Sequence, residues 1–288
     1  MIWLFACTTS AIQEQNSIID QTQSPPEDTA FVVELEEEEI ISAELIEATL
    51  QEGIEKIREI RAHRALDAYE NLLAEGDESC PRWYVGENGP YWADECVASS
   101  GVTFQGYGLS WEHEALTDEW GNTWTGRQLH CEGSLESTET KLSCLGGFNE
   151  LVGTDANDSP VFYSYTSPYT LEENDLETTY PQMEMWAVNN SWGKAIHYSG
   201  TISVSSGIVQ FDETALNNVD CTREPEGKQN VQVSAESSSW INLIWHGEEG
   251  AASSACDGCA EAFMNGKNIG LICADFSTWL MWNESPFE

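Results

Sequence analysis

The sequence predicts a mainly β chain, an antiparallel, sandwich-like domain stapled by disulfides and preceded by a long amphipathic helix. Three observations carry that prediction. Eight of the nine cysteines fall after residue 79, an even set confined to one region, as an oxidising compartment produces. Short stretches of alternating polar and apolar residues recur across the same region, separated by turn residues. Ahead of them, between about Glu36 and Glu75, apolar residues return every three or four positions.

The boundaries follow from shifts in composition. Residues 1–7 read as the remnant of a signal segment, 8–30 as a polar tether, 31–79 as an acidic amphipathic helix and 80–288 as a Cys- and Trp-rich β domain. Leu4-Phe5-Ala6-Cys7 is similar to a bacterial lipobox, with a hydrophobic residue three before the cysteine and a small residue just before it. That similarity implies lipidation of Cys7. The apolar run before it is shorter than the roughly 7–15-residue core of a signal peptide, so the expected start lies further upstream. Thr8 to Thr29 are polar, with Gln13, Gln15, Gln21, Gln23 and Ser24-Pro25-Pro26, and cannot build a core. No run of 18 apolar residues offers a membrane-spanning helix. The membrane is expected to be a partner only through the lipid.

The helical pattern is set by Ile46, Leu50, Ile54, Ile57, Ala65, Ala68, Tyr69 and Leu72. Glu36 to Glu39 suit its opening turns, where the helix dipole favours negative charge. Glu52 with Lys56, and Glu55 with Arg58, stand at pairing distance along it. Gly53 is where a bend or a division into two helices is expected. The segment is read as packing on the following domain or standing as a stalk; its apolar seam is too short and interrupted for a strong coiled coil.

In the β region, Thr201–Ser205 and Ile208–Phe211 flank Ser206-Gly207 as a hairpin. Asn230–Ser234 and Trp240–Ile244 flank a Ser-rich turn, and Asn268–Cys273 reads as a strand near the end. Val102–Trp111, Thr123–Leu129 and Val161–Tyr165 are earlier strands. Glu119-Trp120-Gly121-Asn122 and Ser191-Trp192-Gly193-Lys194 form a loose recurrence.

Sequence proximity suggests the bridges Cys80–Cys96 and Cys131–Cys144. Cys221, Cys256, Cys259 and Cys273 allow three connectivities, which stay open. Cys256-Asp257-Gly258-Cys259 also has the spacing of a redox dithiol or half a zinc site, but no βαβ pattern surrounds it. Structural disulfides are the expectation.

The charge balance removes one class of partner. Eleven Lys and Arg face 50 Asp and Glu, a formal charge of −39. Such a chain is repelled by nucleic acid and by anionic lipid. Familiar catalytic signatures are not found: no nucleophile elbow, phosphate-binding loop or zinc-protease helix. The five histidines are scattered, and only Trp111-Glu112-His113-Glu114 resembles a catalytic or metal fragment. Gly153-Thr154-Asp155-Ala156-Asn157-Asp158 alternates oxygen ligands like the start of a calcium loop but lacks its glycine and distal Glu. No cofactor and no metal are expected. Eleven of the 12 Trp lie after residue 79, either filling the core or forming a glycan-stacking face.

Leu4–Cys7, Cys80-Pro81 and Cys256-Asp257-Gly258-Cys259 with Cys273 together resemble predicted secreted lipoproteins of the myxobacterial and deltaproteobacterial type. The resemblance implies a cell-envelope setting, at the outer membrane or outside the cell, and carries no activity. The expected function is a non-enzymatic, envelope-anchored binding or structural module with an envelope protein or glycan as partner. The alternative is an extracellular carbohydrate-binding module or glycan hydrolase.

Overall fold

The computed structural model describes residues 41–87, 89–234, 239–247 and 256–287. The lipobox with Cys7, the tether, Glu36 to Glu39 and most of the Ser-rich turn lie outside the described residues. Ile41 to Glu288 form one compact unit. Among the described residues, no helix is long and apolar enough to cross a membrane.

The helical segment, read with a bend or division at Gly53, makes two helices: α1 (Ala43–Ile57) and α2 (His63–Ala74). Ser42 caps α1, its side chain accepting from the Leu45 amide at 3.3 Å. Gly53 does not break the helix. It is buried inside α1, where a Cβ would sit 2.8 Å from Val209, so its missing side chain is what lets the helix lie close on the sheet. The break falls instead between Arg58 and Ala62. There the Ala62 amide donates to the Ser164 hydroxyl at 3.3 Å, and Arg61 pairs with Glu150 at 3.1 Å. The break separates the two apolar faces, with α1 in one core cluster and α2 in another.

The strands are β1 (Trp83–Gly86), β2 (Gly89–Val97), β3 (Thr103–Thr117), β4 (Thr123–Glu136) and β5 (Thr140–Thr154). Then follow β6 (Pro160–Thr166), β7 (Tyr169–Glu173), β8 (Leu176–Tyr180), β9 (Met183–Asn190) and β10 (Gly193–Val204). The last are β11 (Gly207–Asn217), β12 (Cys221–Val233), β13 (Ile241–Ile244), β14 (Cys259–Met264) and β15 (Lys267–Cys273). They join in one antiparallel sheet in which strands pair almost throughout with their sequence neighbours. The departure is at β6 to β9. β6 and β7 both pair with β5, on either side of Ser167-Pro168, and β8 and β9 meet at Pro181-Gln182. Prolines stand where these long strands are interrupted, as proline lacks the N–H a ladder needs.

One face of the sheet is covered. α1 brings Ile46, Leu50, Ile54 and Ile57 against Met183, Met185, Ile196, Val209 and Phe211. α2 brings Ala65, Leu66, Tyr69 and Leu72 against Trp92, Phe104, Leu129 and Phe148. The C-terminal segment, through Trp279 and Trp282, joins the α1 side. Four disulfides fasten the sheet: Cys80–Cys96, Cys131–Cys144, Cys221–Cys256 and Cys259–Cys273. Cys256 and Cys259 therefore go to different partners, which removes the redox-dithiol and zinc readings of that pair.

Candidate functional site

Strand side chains alternate between faces, so the residues between the core positions all project from the face opposite the helices. No helix covers that face among the described residues. It is not blandly polar.

Register builds it into rows. Trp111 of β3 pairs with Gln128 of β4, Gln128 with Asn149 of β5, Asn149 with Tyr165 of β6, Tyr165 with Glu184 of β9, and Glu184 with Ser199 of β10. The row beside it runs His113, Gly126, Leu151, Tyr163, Trp186, His197 and Ala215. At the β1 side, Tyr84 stacks on Tyr91, Tyr91 meets Tyr107 with centroids 5.4 Å apart, and Tyr107 meets His130 edge-on. Three of the five histidines thus share one face.

Several of these groups are fixed before any partner arrives. The Trp111 indole N–H donates to His113 Nε2 at 2.6 Å, and the Gln128 carboxamide meets the same ring nitrogen. Gln128 in turn donates to Asn149 Oδ1 at 2.7 Å. His130 lies 3.0 Å from Glu132. Gly126 has φ +139, and a Cβ there would run into the carbonyl of Glu150, so the gap it leaves between His113 and Leu151 cannot be filled by a side chain.

Burial sets the protonation of the second row. It pushes the Tyr163 hydroxyl well above its usual range, with the Glu184 carboxylate beside it adding to the effect. It pulls His197 below the usual imidazole value, against the opposing pull of Glu184 and Glu213. Both are therefore neutral at pH 7: a phenol that donates and an imidazole that accepts or donates. Beyond them, Trp124, Leu151, Val161 and Val188 form a small apolar cluster on this same face. Trp186 is 36% exposed.

Past Glu184 the face opens into a hollow of about 310 Å³, lined by Gln182, Glu184, Ser199, Thr201, Gln210 and Asp212 among others. Its walls offer amides, hydroxyls and carboxylates.

The sequence-predicted positions divide. His113 belongs to the rows, while Glu112 and Glu114 beside it are exposed on strand β3. Asp155 of the calcium-like stretch spends its carboxylate within its own turn, accepting from the amides of Asn157 at 2.7 Å and Ser159 at 2.9 Å. Among the described residues, no cluster of three or more His, Cys, Asp or Glu is placed to hold a metal. Trp120 and Trp192 stand at the tips of the β3–β4 and β9–β10 hairpins, 68% and 83% exposed. Sequence reasoning missed Gln128, Asn149, Tyr163, Glu184, Trp186 and His197. The alternation Met183-Glu184-Met185-Trp186-Ala187-Val188 carries the signal for two of them.

No family model, curated protein or solved structure matches the chain.

Proposed function

We propose that this chain is a non-enzymatic binding module of the cell envelope, outside the cytoplasm, held to a membrane by a lipid on Cys7. Its contact surface is the helix-free face of the sheet. The observation that carries this reading is the pair of cross-strand rows from Trp111 to Ser199 and from His113 to Ala215. Half-exposed aromatic rings on rigid strands, interleaved with pre-oriented hydrogen-bonding groups, are what recognition surfaces use. Four disulfides support the compartment, since such bridges persist where the medium is oxidising. The similarity of Leu4–Cys7 to a lipobox supports the anchor. The net charge of −39 argues against nucleic-acid partners.

The test is oxidative footprinting of the protein in intact bacteria, expressed with its upstream region, against the purified chain. The expected result is protection of Trp111, Tyr165 and Trp186 in cells, with Trp120 and Trp192 labelled equally in both. Equal labelling of the face in both states would count against the reading.

A further inference from the structure

We infer that the helix-free face binds a neutral oligosaccharide, with one sugar ring stacked on Trp186 and the chain continuing past Glu184 into the polar hollow. This rests on the reading of that face as a contact surface and names the chemistry of what it contacts.

Three features converge. First, Trp186 keeps a third of its surface open on a β-strand, flanked by Tyr163 and His197 in its own row. A pyranose presents an apolar face of C–H groups that packs on an indole ring, and the flat side of a sheet gives that ring a fixed orientation. Second, Glu184 separates the aromatic row from the hollow. Its walls carry Gln182, Ser199, Thr201, Gln210 and Asp212, which supply both donors and acceptors. A sugar hydroxyl is at once donor and acceptor, so such a mixture suits it better than it suits an apolar or singly charged group. The hollow spans β9, β10 and β11, and neighbouring strands stand about 4.8 Å apart, so a chain lying across it meets side chains of successive strands.

Third, charge narrows the class. The hollow holds no Lys or Arg, and the chain as a whole is strongly negative. An anionic saccharide would be repelled. A cationic peptide would be attracted, but to carboxylates found all over the molecule, and it would leave the amides, the hydroxyls and the open indole unused. The Trp111–His113 and Gln128–Asn149 hydrogen bonds fix side chains further along the same face, so the ordering cost of binding a flexible saccharide is not compounded by ordering the protein.

The test titrates the full chain with cellohexaose, mannohexaose and chitohexaose, and with hexagalacturonate and hexalysine as charged probes, read by tryptophan fluorescence and calorimetry. At least one neutral hexasaccharide should bind, with an affinity that barely changes with salt. Trp186→Ala should weaken that binding about tenfold, the size of one lost stacking contact. Gln210→Ala should weaken it less, Trp192→Ala should leave it unchanged, and hexagalacturonate should not bind. Near-ultraviolet circular dichroism verifies that each variant is folded. No binding of any neutral hexasaccharide, wild-type affinity in Trp186→Ala, or salt-sensitive binding of hexalysine alone would each overturn the inference. Protection of the face in cells together with failure of all three neutral saccharides would remove the glycan and leave the contact surface standing.

Discussion

The indole N–H of Trp92 donates to the hydroxyl of Tyr69 at 2.8 Å, both side chains fully buried, and this bond joins α2 to β2 beneath the sheet. Gly108 lies under the pair. A Cβ there would come within 2.5 Å of both the indole nitrogen and the hydroxyl. Burial pushes the Tyr69 hydroxyl up to about 12, against the opposing pull of its hydrogen bonds with Trp92 and Ser110, so it stays protonated through ordinary pH. Tyr69→Phe strands the Trp92 donor and should cost about 1–3 kcal/mol. Gly108→Ala forces the bond apart and should cost at least as much. Urea unfolding measures both, and a Tyr69→Phe variant as stable as the parent would show the bond to be dispensable.

Glu224 is 1% exposed and accepts from the amides of His246 at 2.6 Å, Asp257 at 3.2 Å and Gly258 at 3.4 Å. It holds together the two ends of the segment between β13 and β14. Glu224→Ala takes the acceptor from three N–H groups at once and should destabilise by about 3 kcal/mol. Glu224→Gln keeps one carbonyl oxygen and should lose about half as much. Hydrogen exchange should rise first at residues 256–258.

The four bridges close loops of different length. Cys221–Cys256 spans 35 positions and Cys131–Cys144 spans 13. By loop-closure entropy the first is worth about 4 kcal/mol and the second about 3 kcal/mol. Paired Cys→Ser replacements, compared by guanidinium midpoints, should rank in that order. Equal losses would mean that the reduced, unfolded chain already holds the longer loop closed.

Acid should destabilise the fold in two steps. His197 and His63 both titrate below the usual 6.5 in the folded chain; burial is the main cause, and Arg61 adds to it at His63. The unfolded chain therefore takes up protons first as pH falls, and stability present above about 6.5 is lost below it. Glu52 is drawn down to about 2 by hydrogen bonds from Ser205, and Asp77 lower still by Ser79 and Ser99. Their stabilisation is present above the ordinary carboxylate range and is lost as pH falls through it. The melting temperature, followed at constant ionic strength, should fall between pH 6.5 and 5 and again below about 4.5. His197→Gln should shrink the first step.

How much of this was legible in the sequence varies by element. The hairpin of β10 and β11 is plain because Thr201–Ser205 and Ile208–Phe211 alternate cleanly around a two-residue turn. The pairing of β12 with β13 also follows its alternation. Strand β5 is not legible, because Gly146-Gly147 reads as a break while the structure uses Gly146, at φ +133, to carry the strand past Ser167. Nothing between Arg58 and Ala62 advertises a helix end, since the partners met there, Glu150 and Ser164, lie far along the chain. The bridges Cys80–Cys96 and Cys131–Cys144 are local and legible, whereas the pairing of the last four depends on where β14 and β15 lie. The rows are the least legible feature. Alternation places Glu184 and Trp186 on one face, but only the register of β6, β9 and β10 sets them beside Tyr165 and His197.

The order of the strands has a consequence in time. Nearly every strand pairs with the one made just before it, so the sheet can extend as the chain is delivered, each hairpin docking on a finished edge. The first helix cannot follow that schedule. The lid over its apolar side arrives last, when the Trp279 indole donates to the Ile54 carbonyl and Arg61 meets the Phe287 carbonyl. A nascent chain halted before Ser277 carries a complete meander with α1 already lying on it, but lacks the Trp279 and Phe287 contacts that close over that helix and the turn after it, which makes residues 277–287 its clasp.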